Sequence, residues 1–229
     1  ETSIISNTAA DPIQDVIHIT GNVGLQEKAD EMGWSGTGSF GDPIIIEGYT
    51  FRSPQHMFTV YYTDLHFVFC NNELDGVSQN LCAIVLVGVQ NGAIVNNTIY
   101  NANVGIHLIG TNDSLISGNM VYDSLWDSVF MEAGCYRNII QYNEFFFNGE
   151  GAIYMINRCH FNIIQNNTFH GSPSGVLFSP RTENNSLLFN EVFNTTNAGL
   201  SVFSSNYTII GNYIHENRGD GITAVGTGN

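Results

Sequence analysis

Acidic side chains are the residues of this sequence whose type and spacing could do chemistry. Asp123, Asp127 and Glu132 follow one another closely, and Glu144 and Glu191 are the other acids that could share a face. Two carboxylates about 5 to 9.5 Å apart can hydrolyse a glycosidic bond, one of them acting as the general acid. We expect Asp123 and Asp127 to lie on one turn. The acids are better explained as solvated side chains, however, and we assign no catalytic residue.

A repeat of 22 to 25 residues must position these side chains. An asparagine recurs in the same context, as in NIIQYNEF (138–145) and NIIQNNTF (162–169), at Asn72, Asn97, Asn119, Asn143, Asn167, Asn190 and Asn212. The positions three before and two after each asparagine are apolar, which predicts short strands facing one core. Such strands can pair only with the next repeat, so the sequence predicts an all-β parallel β-helix of about eight rungs.

The repeated asparagine has two structural interpretations. Stacked at a corner, the side-chain amides could hydrogen-bond to one another as a ladder through the rungs. Alternatively, asparagine is present simply because it tolerates the left-handed backbone of a sharp turn. Both interpretations give these residues a structural role.

The first 43 residues differ from the repeats. A diverged repeat, IIIEGYTF (44–51), places Tyr49 at the asparagine position. Before it, residues 24–33 predict a short amphipathic helix with Leu25, Ala29 and Met32 on one face, and residues 13–19 predict a strand. A helix there would cover the open first rung. We therefore expect one domain, with an N-terminal strand and capping helix in 1–43 and the β-helix in 44–229.

Cysteines and basic residues were compared by their distance from the repeated asparagines. Cys135 and Cys159 each lie eight residues before one, so they should stack within reach of a disulfide, or remain two reduced, buried thiols. Cys70 and Cys82 could bridge across a turn. Arg137 lies six residues before its asparagine and Arg158 nine before, so the arginines are interpreted as scattered, with no lyase base. The histidines do not cluster, and we predict no metal and no cofactor.

The residue three after each asparagine predicts an exterior row of rings. By alternation with the inward residue before it, this row faces outward and consists of Tyr100, Tyr122, Phe146, His170, Phe193 and His215. Exposed aromatic faces bind sugar rings or bury against a partner. The alternative is a corner where the rings pack over a turn.

Composition excludes two classes of function. The chain has 21 acidic and 6 basic residues and a net charge of −15, which argues against nucleic-acid binding. No apolar stretch approaches the ~18 residues of a membrane span. We predict a secreted, extracellular or cell-surface protein. Six sequons could then carry glycans, at Asn96, Asn112, Asn166, Asn184, Asn194 and Asn206.

The repeats resemble the right-handed parallel β-helix repeats of the NosD-like family of carbohydrate-binding and sugar-hydrolase domains. The resemblance runs from about Ile17 to Ala224, and residues 33–51 are similar to the lead-in of archaeal cell-surface members. It implies the right-handed fold. It is poorly specific for function, because members include pectin-degrading enzymes and surface proteins. The clustered aspartates and Gly-His-Gly segment of polygalacturonases are missing here.

The final repeat, residues 206–229, contains no helix or charged segment that would cover the last rung. Uncovered strand edges promote association, which predicts an end interface at Ile209, Ile214 and Ile222 and head-to-tail filaments of the chain with itself. We therefore expect a non-enzymatic structural or adhesive solenoid. The alternative is a carbohydrate-binding or polysaccharide-processing protein, hydrolase-like or lyase-like, whose partner is a polysaccharide.

Overall fold

The structure, a computed structural model, describes residues 16–77 and 81–225. One helix, α1 (Gly21–Met32), and short strands make up the described chain. The strands are β1 (Ile17–Thr20), β2 (Ile44–Glu47), β3 (Thr50–Arg52), β4 (Phe58–Tyr61), β5 (Phe67–Cys70), β6 (Glu73–Asp75), β7 (Ile84–Val87), β8 (Gly92–Val95), β9 (Thr98–Tyr100), β10 (Ile106–Ile109), β11 (Leu115–Ser117), β12 (Met120–Tyr122), β13 (Asp127–Glu132), β14 (Ile139–Gln141), β15 (Glu144–Phe146), β16 (Gly151–Met155), β17 (Ile163–Gln165), β18 (Thr168–His170), β19 (Ser174–Phe178), β20 (Ser186–Leu188), β21 (Glu191–Phe193), β22 (Leu200–Val202), β23 (Thr208–Ile210), β24 (Tyr213–His215) and β25 (Ile222–Ala224).

Every third strand pairs with the same strand of the next turn, which gives three sheets. Sheet 1 has nine strands in the order β1-β4-β7-β10-β13-β16-β19-β22-β25, sheet 2 runs from β2 to β23, and sheet 3 from β3 to β24. The pairing is parallel, as between β13 and β16, where Val129 opposes Ile153. The prediction of a parallel β-helix of about eight rungs is confirmed.

The inward row of sheet 2 shows why the repeat folds this way. Strand β14 buries only Ile140, and Ile140 lies between Ile116 and Ile164 of the neighbouring rungs. Each strand is too short to bury its apolar residue within its own turn, so burial depends on the rung on either side. The core is therefore a column of stacked apolar side chains inside the three sheets.

The N-terminal helix starts earlier than predicted and covers the column with fewer residues. Leu25 and Ala29 are buried, but Met32 remains 37% exposed, so the prediction of one shared face holds for the first two residues only. Met32 is the last helical residue, and Gly33 ends the helix with a left-handed φ of 69°. The predicted strand at 13–19 is observed from Ile17 onward, and its first three residues lie outside the described chain.

The repeated asparagines form a continuous ladder between sheets 2 and 3. Asn119 Nδ2 donates to Asn143 Oδ1 at 3.0 Å, and the backbone N–H of Asn119 donates to the same oxygen at 2.8 Å. The arrangement repeats from Asn72 to Asn212, and at its first rung Asn72 Oδ1 accepts the N–H of Tyr49. A second, shorter ladder joins Asn138, Asn162 and Asn185.

Candidate functional site

The structure separates the acids considered from the sequence. Asp123 lies at an exposed corner with a φ of 52°, whereas Asp127 begins β13 and is only 4% exposed. Glu144 and Glu191 belong to sheet 3, where each bonds to a histidine, at 3.1 Å for His170 and 3.2 Å for His215. These acids therefore do not form one site, and Asp127 is the acid that faces a cavity.

A cleft of about 380 Å³ lies on the outer face of sheet 1, over the starts of β13, β16 and β19. The lining residues include Asp127, Glu150, Gly151, Tyr154, Ser174 and Leu177. We call it the acid cleft. Glu150, which sequence reasoning missed, precedes β16 and is exposed, so the cleft combines one buried and one solvated carboxyl group.

The register of sheet 1 explains why Asp127 is buried. Asp127 opposes Gly151 in the next rung, and Gly151 opposes Ser174. A Cβ at Gly151 would lie 3.1 Å from Asp127 Oδ1, so the carboxyl group occupies space that a larger residue would restrict. The backbone N–H of Gly151 also donates to this carboxyl group. Because Gly151 has no side chain, it leaves space for the carboxyl group of Asp127 in the rung before it.

Burial and the nearby charge of Glu150 raise the pKa of Asp127 to about 7, against a smaller opposing effect of the Gly151 hydrogen bond. Asp127 therefore holds its proton under conditions where an ordinary carboxyl group is ionised. Two carboxyl groups in different environments, one buried and one solvated, can take the two roles of an acid and a base in one site. The acid cleft has this arrangement.

Aromatic side chains continue the floor of the acid cleft along sheet 1. The outward row runs from His107 through Phe130 and Tyr154 to Leu177. The ring centroids of Phe130 and Tyr154 are 5.5 Å apart, and the Tyr154 hydroxyl group lies 3.3 Å from Ser179 Oγ. This row offers an apolar surface with one hydroxyl group, which suits a sugar ring.

Cys82, His107 and Glu132 form a line at one end of this row. His107 Nε2 lies 3.1 Å from Glu132 Oε1, and His107 Nδ1 lies 3.9 Å from Cys82 Sγ. The order is that of a nucleophile, a base and an acid. Burial raises the pKa of Cys82 to about 11, and burial lowers the pKa of His107 despite the opposing effect of Glu132. The raised pKa favours the protonated thiol, so we assign no nucleophilic role to this line.

The predicted exterior row of rings is a self-contained stack on sheet 3. From Tyr100 to His215, successive centroids are 4.9 to 5.2 Å apart with interplanar angles of 1° to 15°. Each inner ring has its two faces against its neighbours, and the outer edges remain for solvent. We call it the aromatic stack. Sugar binding there stays a prediction, and the covered ring faces do not favour it.

All four cysteines are free in the structure, and a disulfide between Cys135 and Cys159 or between Cys70 and Cys82 stays a prediction. Cys135 and Cys159 lie in adjacent rungs, are buried and interact through their thiol groups. Their Sγ atoms also approach the carbonyl oxygens of Glu132 and Ile156, at 3.3 and 3.1 Å. Cys70 belongs to sheet 2, and its Sγ lies 3.8 Å from Glu47 Oε2, far from the His107 contact of Cys82.

Most of the sequons lie at corners with left-handed backbone. Asn96, Asn166, Asn184, Asn194 and Asn206 have φ values of 53° to 61°, which asparagine tolerates well. Asn112 differs, because its Oδ1 accepts the N–H of Tyr136 at 2.9 Å. Glycosylation of these residues stays a prediction.

The proposed end interface lies in the last described rung. Ile209 and Ile214 are half-buried against the core, and Ile222 is 47% exposed. Nothing in the structure tests whether copies associate through these residues, and self-assembly stays a prediction.

The arginines are not all scattered, and this part of the sequence interpretation is wrong. Met155 opposes Phe178 in sheet 1, so Arg158 and Arg181, three residues further on in each rung, occupy the same turn position. The signal was present in the sequence: Arg158 lies nine residues before Asn167, and Arg181 lies nine before Asn190. Comparing Arg158 with Arg137, which lies at a different offset, does not reveal this shared position.

Neither a metal-binding cluster nor a membrane-spanning helix is found in the described part of the chain. Among the described residues, no three His, Cys, Asp or Glu side chains are grouped so that they could hold a metal ion. In the same part of the chain, no helix has the length and apolar character of a transmembrane span.

Comparison with known proteins identifies the fold family. Residues 34–192 match the sequence model described as right handed beta helix region, so the chain belongs to the right-handed β-helix family. This also confirms the predicted handedness. A search of curated proteins finds no match to the chain.

Several solved structures have the same fold at low sequence identity. The periplasmic alginate epimerase AlgG is 15% identical, with a TM-score of 0.62 over 92% of this chain and 55% of that one. The Azotobacter vinelandii mannuronan C-5 epimerase AlgE4 A-module is 14% identical, with a TM-score of 0.58 over 82% and 63%. The DFA-IIIase of Arthrobacter chlorophenolicus A6, solved with DFA-III, is 16% identical, with a TM-score of 0.54 over 74% and 46%. The chain thus spans less than two thirds of the length of each.

Proposed function

We propose that this protein binds and processes a carbohydrate in the acid cleft, with Asp127 as the general acid. The single observation that carries the proposal is the buried Asp127 carboxyl group, whose pKa is raised to about 7, beside the solvated Glu150. Structurally similar proteins whose names refer to alginate, mannuronan and DFA-III support a saccharide substrate.

The proposed reaction is cleavage of a glycosidic bond by water. Asp127 donates its proton to the bridging oxygen as the bond from this oxygen to the anomeric carbon breaks. Water adds to that carbon, and Glu150 accepts the proton that the water loses. Tyr154, at the floor of the cleft, contacts the sugar ring and orients it.

Asp127 rather than Glu150 takes the role of the acid, because burial raises the pKa of Asp127 to about 7. Glu150 is exposed and precedes strand β16, whereas Asp127 lines the cleft with only 4% of its surface exposed. Burial disfavours the charged form, so the proton resides on Asp127. The environment of each carboxyl group, and not its residue type, therefore assigns the acid.

The test is release of reducing ends from a panel of acidic and neutral polysaccharides. Asp127→Asn should lower the rate about a hundredfold or more, since general acid catalysis contributes on the order of 10² to 10⁴. Asp123→Asn is the matched control, because Asp123 lies at an exposed corner outside the cleft, and it should leave the rate unchanged. Full activity of Asp127→Asn, or no turnover of any glycan by the unaltered protein, would overturn the proposal.

An exported location accompanies this proposal, because the structurally similar alginate epimerase AlgG is described as periplasmic. The predicted secreted or cell-surface location and the exposed sequons at Asn96, Asn166, Asn194 and Asn206 are consistent with it. Fractionation of the source cells with an antibody against the chain tests it, and recovery in the cytoplasmic fraction alone would contradict it.

A further inference from the structure

Arg158 and Arg181 line a second cavity beside sheet 1. It has a volume of about 570 Å³, and its other lining residues are Ala133, Gly134, Tyr136 and Asn157. The two arginines have nearly equal φ values, 68° and 70°, so the same turn is repeated in adjacent rungs about 4.8 Å apart. Gly134 occupies this position in the rung before and contributes no side chain. We call this cavity the arginine cleft.

The two arginines of the arginine cleft form no ion pair with the part of the chain that the structure describes. The chain has only 6 basic residues against 21 acidic ones. Lys28 pairs with Glu31 at 2.8 Å and Arg137 with Asp113 at 2.6 Å, and Arg52 lies 3.6 Å from Asp75. No acidic side chain of residues 16–77 or 81–225 forms an ion pair with Arg158 or Arg181. Arg158 and Arg181 are exposed and occupy the same turn position in adjacent rungs, so an anion bound between them would reduce the repulsion between two like charges.

The position of the arginine cleft relates it to the acid cleft. The acid cleft lies where β13, β16 and β19 begin, and the arginine cleft lies just past the ends of the same strands. A strand of five residues spans roughly 15 Å. Tyr154 of the acid cleft reaches Ser179, which stands two residues before Arg181. One extended ligand could therefore contact both clefts.

We propose that the arginine cleft binds the carboxylate of an acidic sugar residue in the same saccharide that the acid cleft processes. This inference rests on the proposed function for its ligand. The planar guanidinium group donates two parallel hydrogen bonds to a carboxylate, and guanidinium groups from two adjacent rungs can hold one carboxylate between them. Tyr136 adds an aromatic surface at the rim, with its ring 5.4 Å from that of His160. The protein thus distinguishes a uronate chain from its neutral counterpart.

The experiment measures binding by isothermal titration calorimetry. The probes are oligogalacturonate and oligoglucuronate, the same chains with their carboxylates reduced to hydroxymethyl groups, and sodium sulfate. We expect the unaltered protein to bind at least one uronate chain more tightly than its reduced form. Arg158→Gln/Arg181→Gln should weaken that uronate about tenfold or more and leave the reduced form unchanged.

The matched control is Arg52→Gln/Arg218→Gln, which changes the net charge equally at exposed residues outside the arginine cleft. An equal loss in this control overturns the inference, because the effect then reflects overall charge. Failure of both uronates to bind more tightly than their reduced forms also overturns it. The inference is also overturned if sulfate binds as tightly as the preferred uronate, because the cavity would then be a simple inorganic anion site.

Failure of the proposed function gives a different result. If uronate binding requires the two arginines but no glycan is turned over, the catalytic proposal fails and the arginine cleft stands. If neutral chains are turned over with a requirement for Asp127, and the arginine substitutions change nothing, catalysis stands and the arginine cleft is overturned.

Discussion

The acid cleft and the aromatic stack both lie on outward faces of one solenoid, yet they differ in the contacts that side chains make with the neighbouring rungs. In the stack, each ring meets a like partner one rung away, as Phe146 does with Tyr122 at 4.9 Å and with His170 at 5.1 Å. In the acid cleft the column is interrupted, because Asp127 opposes Gly151. The stacked rings therefore contact one another, whereas the interrupted column of the acid cleft leaves a carboxyl group available for a ligand.

The two faces also contribute to stability with opposite signs. Stacked aromatic pairs each contribute roughly 0.5–1.5 kcal/mol beyond their buried area. A buried carboxyl group with a raised pKa instead destabilises the fold when it ionises. The acid cleft is therefore expected to cost stability that the stack helps to supply.

The largest expected effect is on the pH dependence of stability, which Asp127→Asn should remove. The pKa of Asp127 in the folded state, about 7, lies above the ordinary value of 3.8, so the native state holds the proton longer. Stability should fall as pH rises from about 4 to about 7 and stay low above that range, by on the order of 4 kcal/mol. Asn cannot ionise, so at pH 8 the variant should unfold at a higher urea concentration. Equal midpoints for the two proteins at pH 8 would contradict it.

The next effect is the pH dependence of turnover. Because the acid must be protonated, the rate should fall about tenfold per pH unit above the Asp127 pKa of about 7. The profile of initial rates against pH measures this. Tyr122→Ala, a substitution in the aromatic stack, should leave the position of the fall unchanged. A rate that stays constant to pH 9 would exclude Asp127 as the acid.

A smaller effect should separate the aromatic stack from catalysis. Phe146→Ala removes two stacked pairs and should lower the free energy of unfolding by about 1 to 3 kcal/mol. At temperatures where the variant remains folded, its kcat should be that of the unaltered protein. Urea unfolding and initial rates measure the two quantities, and a selective loss of kcat with unchanged stability would move the active site to sheet 3.

The smallest expected effect comes from Tyr154→Phe. The substitution removes the hydroxyl group 3.3 Å from Ser179 Oγ and keeps the ring, so stability should change by about 1 kcal/mol or less. If Tyr154 orients the sugar, kcat/KM should fall several-fold, whereas Tyr61→Phe, outside the acid cleft on the same sheet, should have no effect. Equal kinetics for both variants would show that the Tyr154 hydroxyl group does not orient the sugar.

The fold could be predicted from the sequence because its determinants repeat. Ile116, Ile140 and Ile164 occupy one inward position, and the asparagines recur beside them, so each rung repeats the information of the last. The acid cleft could not be predicted, because it depends on a departure from the repeat. The burial of Asp127 requires the small Gly151 one rung away, and Glu150 lies in a turn that no periodicity describes.

The aromatic row and the arginines show two other limits of sequence reasoning. Position along the repeat placed the rings from Tyr100 to His215 on one column, but residue type alone cannot tell stacked rings from rings with free faces. Arg158 and Arg181 share a register that could be counted in advance. Such a pair of arginines is found only when the distance of every arginine from its repeated asparagine is compared.

The similarity of neighbouring rungs also affects how the folding chain finds its register. The segments 138–145 and 162–169 present nearly the same inward residues, so a strand displaced by one whole rung would lose little packing. The first rung cannot be misplaced in this way, because Tyr49 replaces the asparagine and its hydroxyl group accepts a hydrogen bond from Trp34 Nε1 at 2.7 Å. The irregular N-terminal rung therefore fixes the count from which each later turn is placed, and with it the three strands that carry both clefts.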